Sequence, residues 1–179
     1  MIKKIIFTLF LILFIGCSST VTPQAQFESK RNEFYINYIN ASNEIIEDEI
    51  WNETNSWTKF FAEECNWEIQ DWHGTIIGHK ISWDGQKLAL SVESEYYEIK
   101  LEYETWNNVL SDSSDETMLI KGTYMWDKAS NLSIGDNVYF SAKFIKDETK
   151  GIKETSWTQR GSLENPEIIV YFTDIRKAD

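Results

Sequence analysis

Apolar and polar residues follow two different rhythms along this chain. Between residues 27 and 65 the apolar positions Phe27, Phe34, Tyr38, Ala41 and Ile45 recur at spacings of three, four and seven. That is the stripe of an amphipathic helix. No Pro or Gly interrupts the stretch, while Asn and Ser at 40–43 mark a break in it. Ser56 is placed to cap a second piece that carries Trp57, Phe60 and Phe61.

After Asn66 the period changes to two. Residues 72–81 read as a strand punctuated by Gly74 and Gly78, glycines that mark bulges or tight coiling. Asp84-Gly85 is a hairpin signal, and the return strand over 87–92 places Leu88, Leu90 and Val92 on one face. Tyr97, Ile99, Leu101 and Tyr103 then alternate with Glu98, Lys100, Glu102 and Glu104, a half-buried strand with one solvated face. Residues 106–136 read as a long polar connection. Val138, Phe140, Ala142 and Phe144 form a fourth strand, 157–160 a local pairing, and 168–173 a fifth strand opened by Pro166. Five strands with a hairpin-rich first half and a long connection before the fourth predict an α+β fold. Its helical segment packs on a five-stranded OB-like antiparallel barrel, with a β-sandwich as the alternative.

The N-terminal segment sets the expected location. Lys3 and Lys4 precede an uncharged apolar run over 5–15, too short to span a membrane, which needs about 20 residues. Phe14-Ile15-Gly16-Cys17 resembles the lipobox of bacterial lipoproteins, with Phe14 where Leu is usual. The resemblance implies cleavage after residue 16 and diacylglyceration of Cys17, the anchor of the chain in a membrane. Ser18 rather than Asp follows it, which by resemblance to Gram-negative sorting implies the outer membrane. The expected organisation is a signal at 1–16, a lipidated tether at 17–26, a helical segment at 27–65 and the β domain at 66–179.

Cleavage would remove two lysines and no acid, so the 17 basic residues become 15 against 29 acidic ones and the net charge moves from −12 to −14. Such an excess repels nucleic acid, whose binding rests on neutralised phosphates, and an oligonucleotide partner is not expected. Cys65 is then the last cysteine and reads as a half-buried, unreactive residue among acids.

Several segments together resemble a family of uncharacterised bacterial proteins, some of them membrane-tethered. They are Trp106-Asn107-Asn108-Val109-Leu110-Ser111-Asp112, Gly135-Asp136-Asn137-Val138-Tyr139-Phe140-Ser141, Gly161-Ser162-Leu163-Glu164-Asn165-Pro166-Glu167, Trp72-His73-Gly74 and Arg31-Asn32-Glu33-Phe34. The resemblance implies an OB-like domain and lends no activity.

Candidate chemistry is sparse. His73 and His79 lie about 20 Å apart on one extended strand, too far to share a metal. Asp112, Asp115 and Glu116 lack the spacing of a calcium loop and read as a solvated segment. Lys143, Lys146, Lys150 and Lys153 read as a solvated hairpin. No phosphate loop or nucleophile elbow occurs, and no cofactor is expected. OB-like barrels bind on the outer face of their second and third strands, where Tyr96, Trp106 and Trp157 are the candidates to stack on a sugar or clasp a peptide. The expected function is a non-catalytic binding module that contacts an envelope protein or polymer. The alternative is an envelope hydrolase with a carboxylate pair that motifs do not reveal.

Overall fold

The computed structural model describes residues 21–178 except Glu95, Tyr96 and Glu98. The expected lipid site at Cys17 and the candidate Tyr96 therefore lie outside the described residues. Five strands close a barrel: β1 (Glu68–Ile81), β2 (Lys87–Ser94), β3 (Leu101–Glu104), β5 (Asn137–Phe144) and β8 (Glu167–Lys177). β1 pairs antiparallel with both β2 and β5, β2 pairs with β3, and β5 pairs with β8. The parallel pair of β3 and β8 completes the ring. This is an α+β fold with an OB-like barrel, mixed rather than wholly antiparallel because β3 and β8 run parallel, and closure excludes the sandwich alternative. A two-residue strand β4 (Leu119–Ile120) extends the free end of β2, and β6 (Lys146–Asp147) and β7 (Gly151–Ile152) form a separate hairpin.

The alternation read from the sequence is the alternation that fills the barrel. Leu88, Leu90 and Val92 of β2, Leu101 and Tyr103 of β3, Val138, Phe140 and Ala142 of β5, and Ile168, Val170 and Phe172 of β8 are all buried in one core. The glycines of β1 have the expected role. The register of β1 against β2 shifts between Ile76 and Gly78, and a Cβ on Gly74 would stand 2.6 Å from Val92 Cγ1. Only a residue without a side chain lets β2 approach β1 that closely.

Helix α1 (Pro23–Ile39) and helix α2 (Glu44–Glu64) close one end of the barrel. Thr22 caps α1 and Pro23 opens it, while Asn43 accepts from the backbone N–H groups of Ile45 and Ile46 to cap α2. The 40–43 break is thus real, but Ser56 caps nothing. It lies within α2 and donates back to the Asn52 carbonyl. α1 also starts four residues before the expected 27, so Pro23–Gln26 belongs to the helix and not to a tether. Phe27 sits at the hub of this end, its ring 4.9 Å from Phe61, 5.6 Å from Trp72, 5.8 Å from Trp57 and 5.9 Å from Phe144. Gln24 fastens the helix to β1 by accepting from His73 N–H and donating to His73 C=O, as a neighbouring strand would.

The other end is covered by α3 (Tyr124–Ala129), which lies inside the stretch expected to be a polar connection. Thr123 caps it, Ala129 is buried, and the Ala129 carbonyl lies 3.1 Å from the His79 ring. The expected local pairing at 157–160 is instead the start of α4 (Gln159–Glu164), capped by Thr158.

Gly151 of the β6–β7 hairpin has φ +82° and faces α2, where a Cβ would stand 2.8 Å from Lys59 N and 2.9 Å from Asn55 O. Gly151→Ala combines a disfavoured backbone with overlap against helix backbone, and a loss of about 2 kcal/mol is expected. Urea denaturation measures it; a loss below about 0.5 kcal/mol would mean the hairpin does not bear on α2.

Candidate functional site

An open groove of about 900 Å³ lies on the outer face of β2 and β3. Strand parity builds its floor. Leu101 and Tyr103 point into the barrel, so Glu102 and Glu104 point out beside Ser91 of β2. Glu102 lies opposite Glu167 in the parallel β3–β8 pair, and Ser91 lies opposite Glu104. Trp106, just past β3, forms one wall. Trp157, in the turn before α4, forms the other.

The two tryptophans differ in freedom. Trp106 is half-buried and its indole N–H donates to Asp115 Oδ2 at 2.7 Å. Lys153 donates to the same oxygen at 2.6 Å, and its Nζ lies 5.9 Å from the Trp106 ring. Trp157 is 100 % exposed. Neither belongs to the hydrophobic core, so the wall consists of one fixed ring and one free ring. A fully exposed indole of that size is a surface ready for a flat or apolar ligand group.

The floor is negative and only partly hydrated. Burial pushes Glu104 up to about 7, and the neighbouring charges of Glu102 and Glu167 act in the same direction against a hydrogen bond from Ser91. Glu102 is also raised, mainly by burial. Like charges gathered on a poorly solvated floor favour any ligand that brings a positive charge or several hydroxyl donors.

A second polar concentration lies inside the helix-covered end. Arg31 of α1 donates to Thr58 Oγ1 at 3.1 Å, Glu154 Oε1 at 2.9 Å and Ser162 C=O at 2.8 Å. Both side chains of the Arg31–Glu154 pair are 1 % exposed. Glu28 is fully buried beside it. Burial pushes its carboxyl up to about 7 despite the hydrogen bonds it accepts from Ser94 and Gln24, and its Oε2 and the buried Tyr103 hydroxyl have no partner among the described residues.

Of the acids at 112–116, Glu116 is exposed as expected and Asp115 is half-buried, but Asp112 is not solvated. Asp112 is fully buried: Oδ1 accepts from Thr117 N and Oγ1 and from Met118 N, and Oδ2 takes a 2.7 Å bond from Lys87. It folds the 106–120 loop rather than facing water. The lysine strip is exposed at Lys143 and Lys146, as a solvated hairpin should be, and half-buried at Lys150 and Lys153. Lys143 pairs with Glu68 at 2.6 Å, Lys146 lies 4.6 Å over the Trp67 ring, and Lys150 donates to Ser156 C=O at 2.5 Å. Cys65 is half-buried, its Sγ donates to Ala62 C=O, and burial raises its thiol further from the reactive form. His73 and His79 are both half-buried, with separate partners.

Of the three expected ligand residues, the structure brings Trp106 and Trp157 to one groove. Glu102, Glu104 and Glu167 were missed as site residues because an outward Glu on an alternating strand looks like any solvated face. Glu102 and Glu104 share the parity of Trp106, and Glu167 joins them through the β3–β8 pairing. In comparisons with known proteins the chain matches no family model and no curated sequence. Among the described residues no helix is long and apolar enough to cross a membrane, and no group of three His, Cys, Asp or Glu is placed to hold a metal ion.

Proposed function

We propose that this chain is a lipid-anchored, non-catalytic binding module of the bacterial cell envelope. Cys17 carries the anchor, and the Trp106–Trp157 groove takes an envelope protein or polymer. The observation that carries the reading is the groove on the outer face of β2 and β3, with a fully exposed Trp157 above a carboxylate floor. The lipobox-like Phe14-Ile15-Gly16-Cys17 supports the anchor.

The test is photocrosslinking in intact envelopes with a benzophenone side chain placed at position 157. Position 45 on α2, where Ile45 is exposed, serves as the control. A discrete adduct is expected from 157 and not from 45, and it disappears with Cys17→Ser. Equal adducts from both positions, or an adduct indifferent to the anchor, would overturn the reading.

One observation favours a second reading, an envelope hydrolase. A carboxyl titrating near 7 in an open groove is suited to general-acid work, and Glu102 stands about 7 Å along the strand from Glu104. On that reading Glu104→Gln abolishes the cellular effect of the protein without weakening its binding; on the preferred reading binding and effect change together.

A further inference from the structure

A second groove of about 670 Å³ adjoins the first and has the opposite chemistry. Lys80, Asn107 and Asn108 line both, so the two form one continuous trough. Its far compartment is formed by the tip of the β1–β2 hairpin and the loop after β3. Trp83 is 94 % exposed there and Leu110 85 %, with Ile81, Val109 and Met118 beside them. The tip itself is well ordered by hydrogen bonds. Ser82 donates to Asp84 Oδ1 at 2.6 Å, Gln86 N–H donates to the same oxygen, and Ser82 N–H reaches Lys87 C=O at 2.8 Å. A hydrogen-bonded tight turn that holds an indole out in solvent, beside an exposed leucine on another loop, is an apolar patch without a partner among the described residues.

Resting on the groove as the binding site, we propose that the trough docks an extended segment of a partner protein in which basic side chains lie next to bulky apolar ones. The basic residues enter the Glu102–Glu104–Glu167 compartment beneath Trp157, and the apolar residues cover Trp83 and Leu110.

Charge complementarity selects this occupant. Among the described residues, the ionisable groups that face the first compartment are Glu102 and Glu104 from β3, Glu167 from β8, and Lys80 and His79 from β1. Three carboxyl groups against one lysine favour a cation, whose entry also draws the raised Glu104 into its charged form, and the two indoles offer faces on which a guanidinium or ammonium can rest. The net charge of −12 over the whole chain draws the same partner from a distance. Apolar side chains are needed in addition, because a purely cationic polymer would leave Trp83 and Leu110 exposed. A glycan would use the first compartment and gain little from the second.

The test uses the purified chain without residues 1–16, with Cys17→Ser, and fluorescence polarisation with labelled 12-residue peptides. Four pools are compared: lysine or arginine beside leucine or tryptophan, basic without apolar, apolar without basic, and acidic with apolar. The first pool is expected to bind at least tenfold tighter than the others. Trp83→Ala with Leu110→Ser is expected to reduce that binding tenfold and leave the basic-only pool unchanged. Glu102→Gln with Glu104→Gln is expected to abolish the preference for basic residues. Equal binding of the first two pools, or of acidic and basic pools, overturns the proposal. Soluble polysaccharide fragments that bind with dependence on Trp106 and Trp157 would overturn the peptide occupant and keep the groove. Binding of any probe that survives Trp106→Ala with Trp157→Ala would defeat the groove reading itself.

Discussion

Arg31→Ala is expected to destabilise the protein by about 3–5 kcal/mol, read from urea denaturation at neutral pH. The guanidinium joins α1 to α2 through Thr58, to α4 through Ser162, and to the segment after β7 through Glu154. Its removal leaves Glu154 buried with a hydroxyl donor from Ser162 in place of a cation. The cost arises mainly from that uncompensated carboxylate rather than from the attraction lost. Arg31→Met combined with Glu154→Leu should therefore lose less than Arg31→Ala alone. A loss below about 1 kcal/mol for Arg31→Ala would show that the pair does not hold the helices on the barrel.

Glu28→Gln is expected to stabilise the protein at pH 8, by at most about 3 kcal/mol, and to leave it unchanged near pH 4.5. Burial raises the Glu28 carboxyl from 4.5 to about 7, so between those values the folded chain keeps a proton that the unfolded chain has released. Stability from this group is complete below about 4.5 and falls as the pH rises through 7. A neutral amide keeps Oε1 as acceptor for the 2.9 Å bond from Gln24 and has no charge to bury. Glu104 is raised over the same window and contributes its own slope, which the substitution should leave in place. Parallel stability curves for the two proteins from pH 5 to 8 would contradict this account of Glu28. So would a variant weaker at every pH.

These two residues also show where sequence reasoning stops. The barrel strands were legible because alternation is a local signal, and Leu88, Leu90 and Val92 need no knowledge of the rest of the chain to be assigned inward. Gly74 and Gly78 were equally legible, since a glycine in a strand has few purposes. Arg31 and Glu154 are separated by 123 positions, and nothing local distinguishes a buried arginine on an amphipathic helix from a solvated one. Asp112 failed for a related reason. A run of Asp and Ser reads as hydrated until a lysine 25 residues away is folded against it. α3 escaped notice because six residues are too few to show a period, although Thr123 stood at its start as a cap. In the candidate site the aromatic wall was legible and its acidic floor was not. Tryptophan is uncommon enough to draw notice in a polar loop, while an outward glutamate is not.

The tryptophans also allow the most direct test of the groove. The chain has eight, at 51, 57, 67, 72, 83, 106, 126 and 157, and each indole N–H gives its own signal in a nitrogen-15 NMR spectrum. The measurement is that spectrum before and after addition of detergent-solubilised envelope extract to the chain without residues 1–16. The signals of Trp106 and Trp157 are expected to shift or broaden, while Trp57 and Trp72, in the ring cluster around Phe27, stay in place. Unchanged Trp106 and Trp157 signals, with changes confined to Trp57 or Trp72, would contradict a binding module that works through this groove.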